Sequence, residues 1–87
     1  DEHEVDRLIR EVLEESGELA KEVNHFEGTG VKLEKYGPPD RQHLAKEVMD
    51  VLRCALQVAV YYDIEDELRQ RIEQSYQRMQ VEGWITE

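Results

Sequence analysis

Apolar residues recur at three- and four-residue steps from about Glu4 to Phe26: Val5, Leu8, Ile9, Val12, Leu13, Leu19, Ala20, Val23 and Phe26. That spacing predicts an amphipathic helix with one stripe to bury. The following stretch GTGVKLEKYGPPD contains Gly28, Gly30, Gly37 and both prolines, residues that disfavour helix and suit an ordered loop. Asp40 is placed to cap a second helix from about Arg41 to Tyr62. Its apolar residues (Leu44, Val48, Val51, Leu52, Ala55, Leu56, Val58, Ala59 and Val60) cover most of the circumference, so it needs burial on nearly every side. Asp63 and Asp66, three apart, resemble a capping arrangement for a third helix reaching about Val81, with Gly83 closing it. There is no internal repeat and no linker. The pattern predicts one all-α domain over residues 1–87, a bundle of about three helices per chain completed by a homodimer or a dimer of dimers.

Acidic residues interrupt both apolar faces. At about 100° per residue, Glu15 falls beside Leu8, Leu19 and Phe26 on the flank of the first stripe, and Glu18 lies on its border. In the second helix Glu47 is three after Leu44 and four before Val51, inside the packing face, with Asp50 on its edge near Cys54. Glu14, by contrast, points almost opposite. Glu15/Glu18 and Glu47/Asp50 are therefore i, i+3 pairs, and two packed helices can converge all four carboxylates on one small volume. Desolvated like charges either take up protons or recruit cations. Oxygen-only ligands favour hard ions such as Mg²⁺, with Mn²⁺ as a substitute, and Mg²⁺ commonly shares itself with substrate phosphates. Against this stands the ordinary reading of an ExxE spacing as a solvated face in a chain that is 37% charged.

Charge sharpens the picture. Twenty-one acidic against eleven basic residues give a formal charge of −10, which repels nucleic-acid backbones and anionic membranes, so a phosphate-bearing ligand would need metal ions as a bridge. The single Cys54 excludes an intrachain disulfide and, on an apolar helix, reads as a packed thiol. No long uncharged apolar run is present and the first residues are charged, so the expectation is a cytoplasmic protein with neither signal peptide nor membrane span.

Glu14-Glu15-x-x-Glu18, a gap of 28 residues, then Glu47-x-x-Asp50 resembles the EExxE and ExxD signature of the MazG-like all-α nucleoside triphosphate pyrophosphohydrolases. The surrounding EESGELAKEV and LAKEVMDVL are similar to that family too. The resemblance implies Mg²⁺-dependent cleavage of a nucleoside triphosphate between the α and β phosphates, giving monophosphate and pyrophosphate. The usual family role is house-cleaning of noncanonical or surplus nucleotides. Glu15, Glu18, Glu47 and Asp50 would be the metal ligands, with Glu14, Glu11 or Glu22 as supporting carboxylates.

The last helix departs from the family pattern. Its RQRIEQSYQRM offers Arg71 and Arg78 but neither Asn nor Lys for the phosphates, leaving Lys32, Lys35, Lys46 and Arg53 as further candidates. Tyr61, Tyr62, Tyr76 and Trp84 are candidates for stacking on a base, although aromatics at helical spacing are usually core or interface. No phosphate-binding GxxxxGK[ST] loop is present, nor a Ser/His/Asp order. Glu22-x-x-His25 and Asp40-x-x-His43 carry the acid-x-x-His spacing of di-iron bundles, though Asp40 reads as a cap and His25 as a helix end. Two further functions stay open: phosphoribosyl-ATP pyrophosphohydrolase, on the same helical plan, and a non-catalytic acidic module that binds a partner protein.

Overall fold

A computed structural model describes residues 1–28 and 37–84. These form three helices, α1 (Glu2–Glu27), α2 (Arg41–Tyr61) and α3 (Glu65–Glu82), with no strand among the described residues. The described residues are all-helical apart from their connections, as the periodicity predicts. Three of the boundaries have a plain local cause. Asp1 accepts the Glu4 N–H at 2.9 Å and Asp40 accepts the Gln42 N–H at 2.8 Å, each satisfying one of the donors that a helix start leaves unpaired. Gly28, at φ 70°, ends α1 in the left-handed conformation that a residue without Cβ adopts at no steric cost.

Between α2 and α3 the structure corrects the capping expectation. Asp63 caps nothing: it adopts φ 56°, while Ile64 N–H donates to Ala59 O at 3.0 Å and Asp63 N–H to Val60 O at 3.2 Å. That pair of bonds is a Schellman closure of α2, with aspartate in the left-handed position usually taken by glycine or asparagine. Ile64 is the residue at the start of α3, and no side chain caps that helix.

Helices α1 and α2 pack as an antiparallel pair, with α1 residues late in the helix facing early residues of α2. Glu22 faces His43, and Glu11 and Glu15 face Arg53. Helix α3 packs chiefly against α2, and none of its residues is buried. The Cα radius of gyration, 16.1 Å, exceeds the roughly 12 Å of a compact chain of this length.

The interior is correspondingly thin. Among the described residues Leu8, Cys54 and Ala59 are the buried apolar ones, accompanied by the buried polar residues Glu22, His25 and Glu47. Leu13 of α1 and Met49, Leu52, Leu56 and Val60 of α2 are all at least half exposed or close to it. The all-round apolar surface of α2 is therefore only partly covered by the described residues of its own chain. Covering a side chain of this kind is worth about 1.5–3 kcal/mol.

Candidate functional site

The polar interior follows from helix geometry. Leu8, Glu15 and Glu22 are spaced by seven residues, nearly two full turns, and share the face of α1 that meets α2. On α2 the spacing His43, Glu47, Asp50, Cys54 runs along the opposing face. The helix contact is consequently apolar around Leu8, Cys54 and Ala59 and acidic from there toward the end of α1 and the start of α2.

Glu15, Glu47 and Asp50 each place a carboxylate oxygen within 4.8 Å of the others, the one grouping of metal-type donors of this size among the described residues. Glu47 is the deepest, with its residue 5% exposed. Its Oε1 lies 3.0 Å from His43 Nε2, while Oε2 is buried and has no hydrogen-bond partner. Two cations flank the cluster: Lys46 Nζ lies 2.9 Å from Asp50 Oδ2, and Arg53 reaches to 4.0 Å from both Glu15 and Glu11. The hydrogen bond to Asp50 raises the Lys46 pKa above its ordinary value. Cys54 sits one turn beyond Asp50, and burial pushes its thiol up, as befits a packed group rather than a nucleophile.

The remaining sequence candidates fall elsewhere. Glu18 is exposed, with Lys21 Nζ 3.5 Å from its carboxylate, and it is not among the three clustered acids. Glu14 is exposed on the outward side, as its helical angle requires. Arg71 and Arg78 are exposed on α3, where Arg78 pairs with Glu82 at 2.9 Å. Lys46 alone of the lysine candidates is seen against the cluster, since Lys32 and Lys35 lie outside the described residues. Tyr61 lines an apolar cavity of about 430 Å³ between α1 and α2 that also includes Arg53, and all four aromatic candidates, Tyr61, Tyr62, Tyr76 and Trp84, are exposed.

Two features exceed the sequence reading. Glu22, read there as a supporting acid and as the acid of an acid-x-x-His pair, is 2% exposed, with His25 Nδ1 at 3.8 Å and His43 Nε2 at 3.9 Å. Its place seven residues after Glu15 was the signal. The acid-x-x-His pairs do come together, lining a cavity of about 550 Å³, but His25 Nε2 is tied to Gly37 O at 2.6 Å and Asp40 caps α2. The other feature is His43, one turn before Glu47, whose ring bridges the two helices' buried carboxylates.

Chemically, the donor set of Glu15, Glu47 and Asp50 is all oxygen, and one buried carboxylate oxygen lacks a hydrogen-bond partner, a costly arrangement for a charged group in the interior. Both properties fit a hard divalent cation. The model of the MazG nucleotide pyrophosphohydrolase domain matches residues 3–80, most of the chain. No curated protein and no solved structure shows a significant match. With helices, acidic cluster and family match spanning the same residues, the chain belongs to the MazG nucleotide pyrophosphohydrolase domain family.

Proposed function

We propose that this chain is a Mg²⁺-dependent nucleoside triphosphate pyrophosphohydrolase that cleaves the α–β phosphoanhydride, releasing monophosphate and pyrophosphate, in a house-cleaning role. The observation that carries this reading is the convergence of Glu15, Glu47 and Asp50 from two helices, with one buried Glu47 oxygen left without a hydrogen-bond partner. A bound Mg²⁺ would supply charge neutralisation for the triphosphate and lower the pKa of an attacking water. The residues do the rest. Glu15, Glu47 and Asp50 would hold the cation, and Glu18 would join them by leaving Lys21 and swinging inward, a small cost because surface ion pairs of this kind contribute little. Lys46 and Arg53 are the cations near enough to meet phosphate oxygens at the cluster's edge.

The same reading makes the folded unit at least a homodimer and the chain a single domain. The exposed apolar sides of α1 and α2 support a second copy as the cover that this short chain does not provide for itself. No described helix is long and apolar enough to cross a membrane. A panel of nucleoside triphosphates, with phosphoribosyl-ATP beside them, assayed for pyrophosphate release with and without Mg²⁺, tests the activity. Release from at least one nucleoside triphosphate only with metal is expected. Turnover of phosphoribosyl-ATP alone would assign the related activity, and no turnover of any substrate would reject the enzymatic reading.

A further inference from the structure

Of the three clustered carboxylates, Glu47 carries the greatest desolvation, and a buried carboxylate without hydrogen bonds is costly. Its terminal torsion is also intrinsically soft, because rotation about an sp³–sp² bond has broad minima. Something must therefore select which oxygen turns toward Glu15 and Asp50. Lys46 Nζ, at 3.8 Å from Oε1, is beyond hydrogen-bond distance and already engaged by Asp50 at 2.9 Å. His43 Nε2, at 3.0 Å from Oε1, is within reach. An ionised carboxylate only accepts, so the Nε2 atom carries the proton.

We infer that His43 is a positioning residue for the cation site: by donating Nε2–H to Glu47 Oε1 it fixes the carboxylate plane and leaves Oε2 as the atom offered to the metal. This rests on the metal-dependent reading above. The His43 ring is half exposed, so it fills no core volume that its removal would empty. It stands one helical turn from Glu47 and 3.9 Å from Glu22 Oε1 on α1, so the donor is held where the two helices meet. Hydrogen bonds behind metal ligands typically change affinity 10–100-fold when lost.

The test is calorimetric titration of the full chain with Mg²⁺ alone, no nucleotide, on wild type, His43→Leu, His43→Gln and Glu47→Gln, with melting curves of each in chelator. Leucine removes the donor; the glutamine amide restores an N–H at nearly the same reach. The expected result is a dissociation constant raised about 10–100-fold in His43→Leu and returned to within about threefold of wild type in His43→Gln, with melting in chelator lowered in leucine only by the several degrees that one lost hydrogen bond to a buried carboxylate costs. The inference is overturned if His43→Leu binds within about twofold of wild type, if His43→Gln is as weak as leucine, or if leucine is already unfolded in chelator at the titration temperature, so that its weak binding reports lost structure. Glu47→Gln separates the two levels. If it too leaves Mg²⁺ affinity intact, the metal site itself fails; if it abolishes binding while His43→Leu does not, only the role of His43 is lost.

Discussion

Glu47→Gln should make the metal-free protein more stable and the metal-bound one less so, an inversion that a solvated acidic face does not produce. Two carboxylates 4.8 Å apart, the outer limit of the cluster, repel by about 3.5 kcal/mol at an effective dielectric of about 20. Glutamine removes both of the repulsions in which Glu47 takes part, and relieves the burial of a charge. Against this, Glu15 and Asp50 are about a quarter exposed, Lys46 already compensates Asp50, its own attraction to Glu47 Oε1 at 3.8 Å, weakened because the lysine is two-thirds exposed, is lost with the charge, and the His43 bond weakens by about 1 kcal/mol when its acceptor becomes neutral. The net gain is about 1–3 kcal/mol in chelator, or a rise of at least about 5 °C in melting temperature for a domain of this size. Magnesium at a hundred times its dissociation constant stabilises wild type by about 2.7 kcal/mol, and the variant should lose most of that increment. Thermal melts by circular dichroism at matched protein concentration, in chelator and in millimolar Mg²⁺, read both quantities. A variant that melts at or below wild type in chelator while keeping the full metal-induced rise would refute the reasoning.

Glu18→Gln reports whether the exposed glutamate swings into the site: Mg²⁺ titration should show weaker binding, and an unchanged dissociation constant would leave Glu18 as Lys21's surface partner. Sedimentation equilibrium at micromolar concentration should give at least twice the 10.3 kDa chain mass, and a lone monomer would remove the second copy as cover for α2. Cys54 should resist a thiol reagent until the chain unfolds. Because burial raises its folded pKa, the unfolded thiol ionises first as pH rises, so this group's effect is falling stability above the ordinary thiol pKa; Cys54→Ser should flatten that alkaline slope in pH-dependent melts.

Helix positions and faces were legible because burial periodicity needs only spacing. Glu15, Glu47 and Asp50 were legible for the same reason, as acids standing where the stripe needs apolar residues. Glu22 was harder: its angle matches Glu15, but its depth depends on how closely α1 approaches α2 near His43, which no single-helix wheel contains. His43 read as the histidine of an Asp40-x-x-His43 spacing, whereas its role rests on a rotamer that meets Glu47 one turn later. Asp63 misled because aspartate serves both as an N-cap and as a left-handed closing residue, and the Ile64 to Ala59 bond decided between them. The apolar circumference of α2 announced a need for cover, yet spacing alone does not say which side α1 takes and which it leaves open.

The proposed chemistry turns on direction along one turn of α1, where Glu14 and Glu15 are neighbours with identical side chains and different surroundings: Glu14 faces out and Glu15 meets Glu47, Asp50 and Arg53. Monophosphate and pyrophosphate should be quantified together, with Mg²⁺, for wild type, Glu14→Gln and Glu15→Gln on the nucleotide that wild type cleaves best. Equimolar products from wild type, near-normal turnover in Glu14→Gln and a loss of orders of magnitude in Glu15→Gln are the predicted outcome. Near-normal pyrophosphate release from Glu15→Gln would contradict the account, leaving the converging carboxylates as a charged helix face with no part in the reaction.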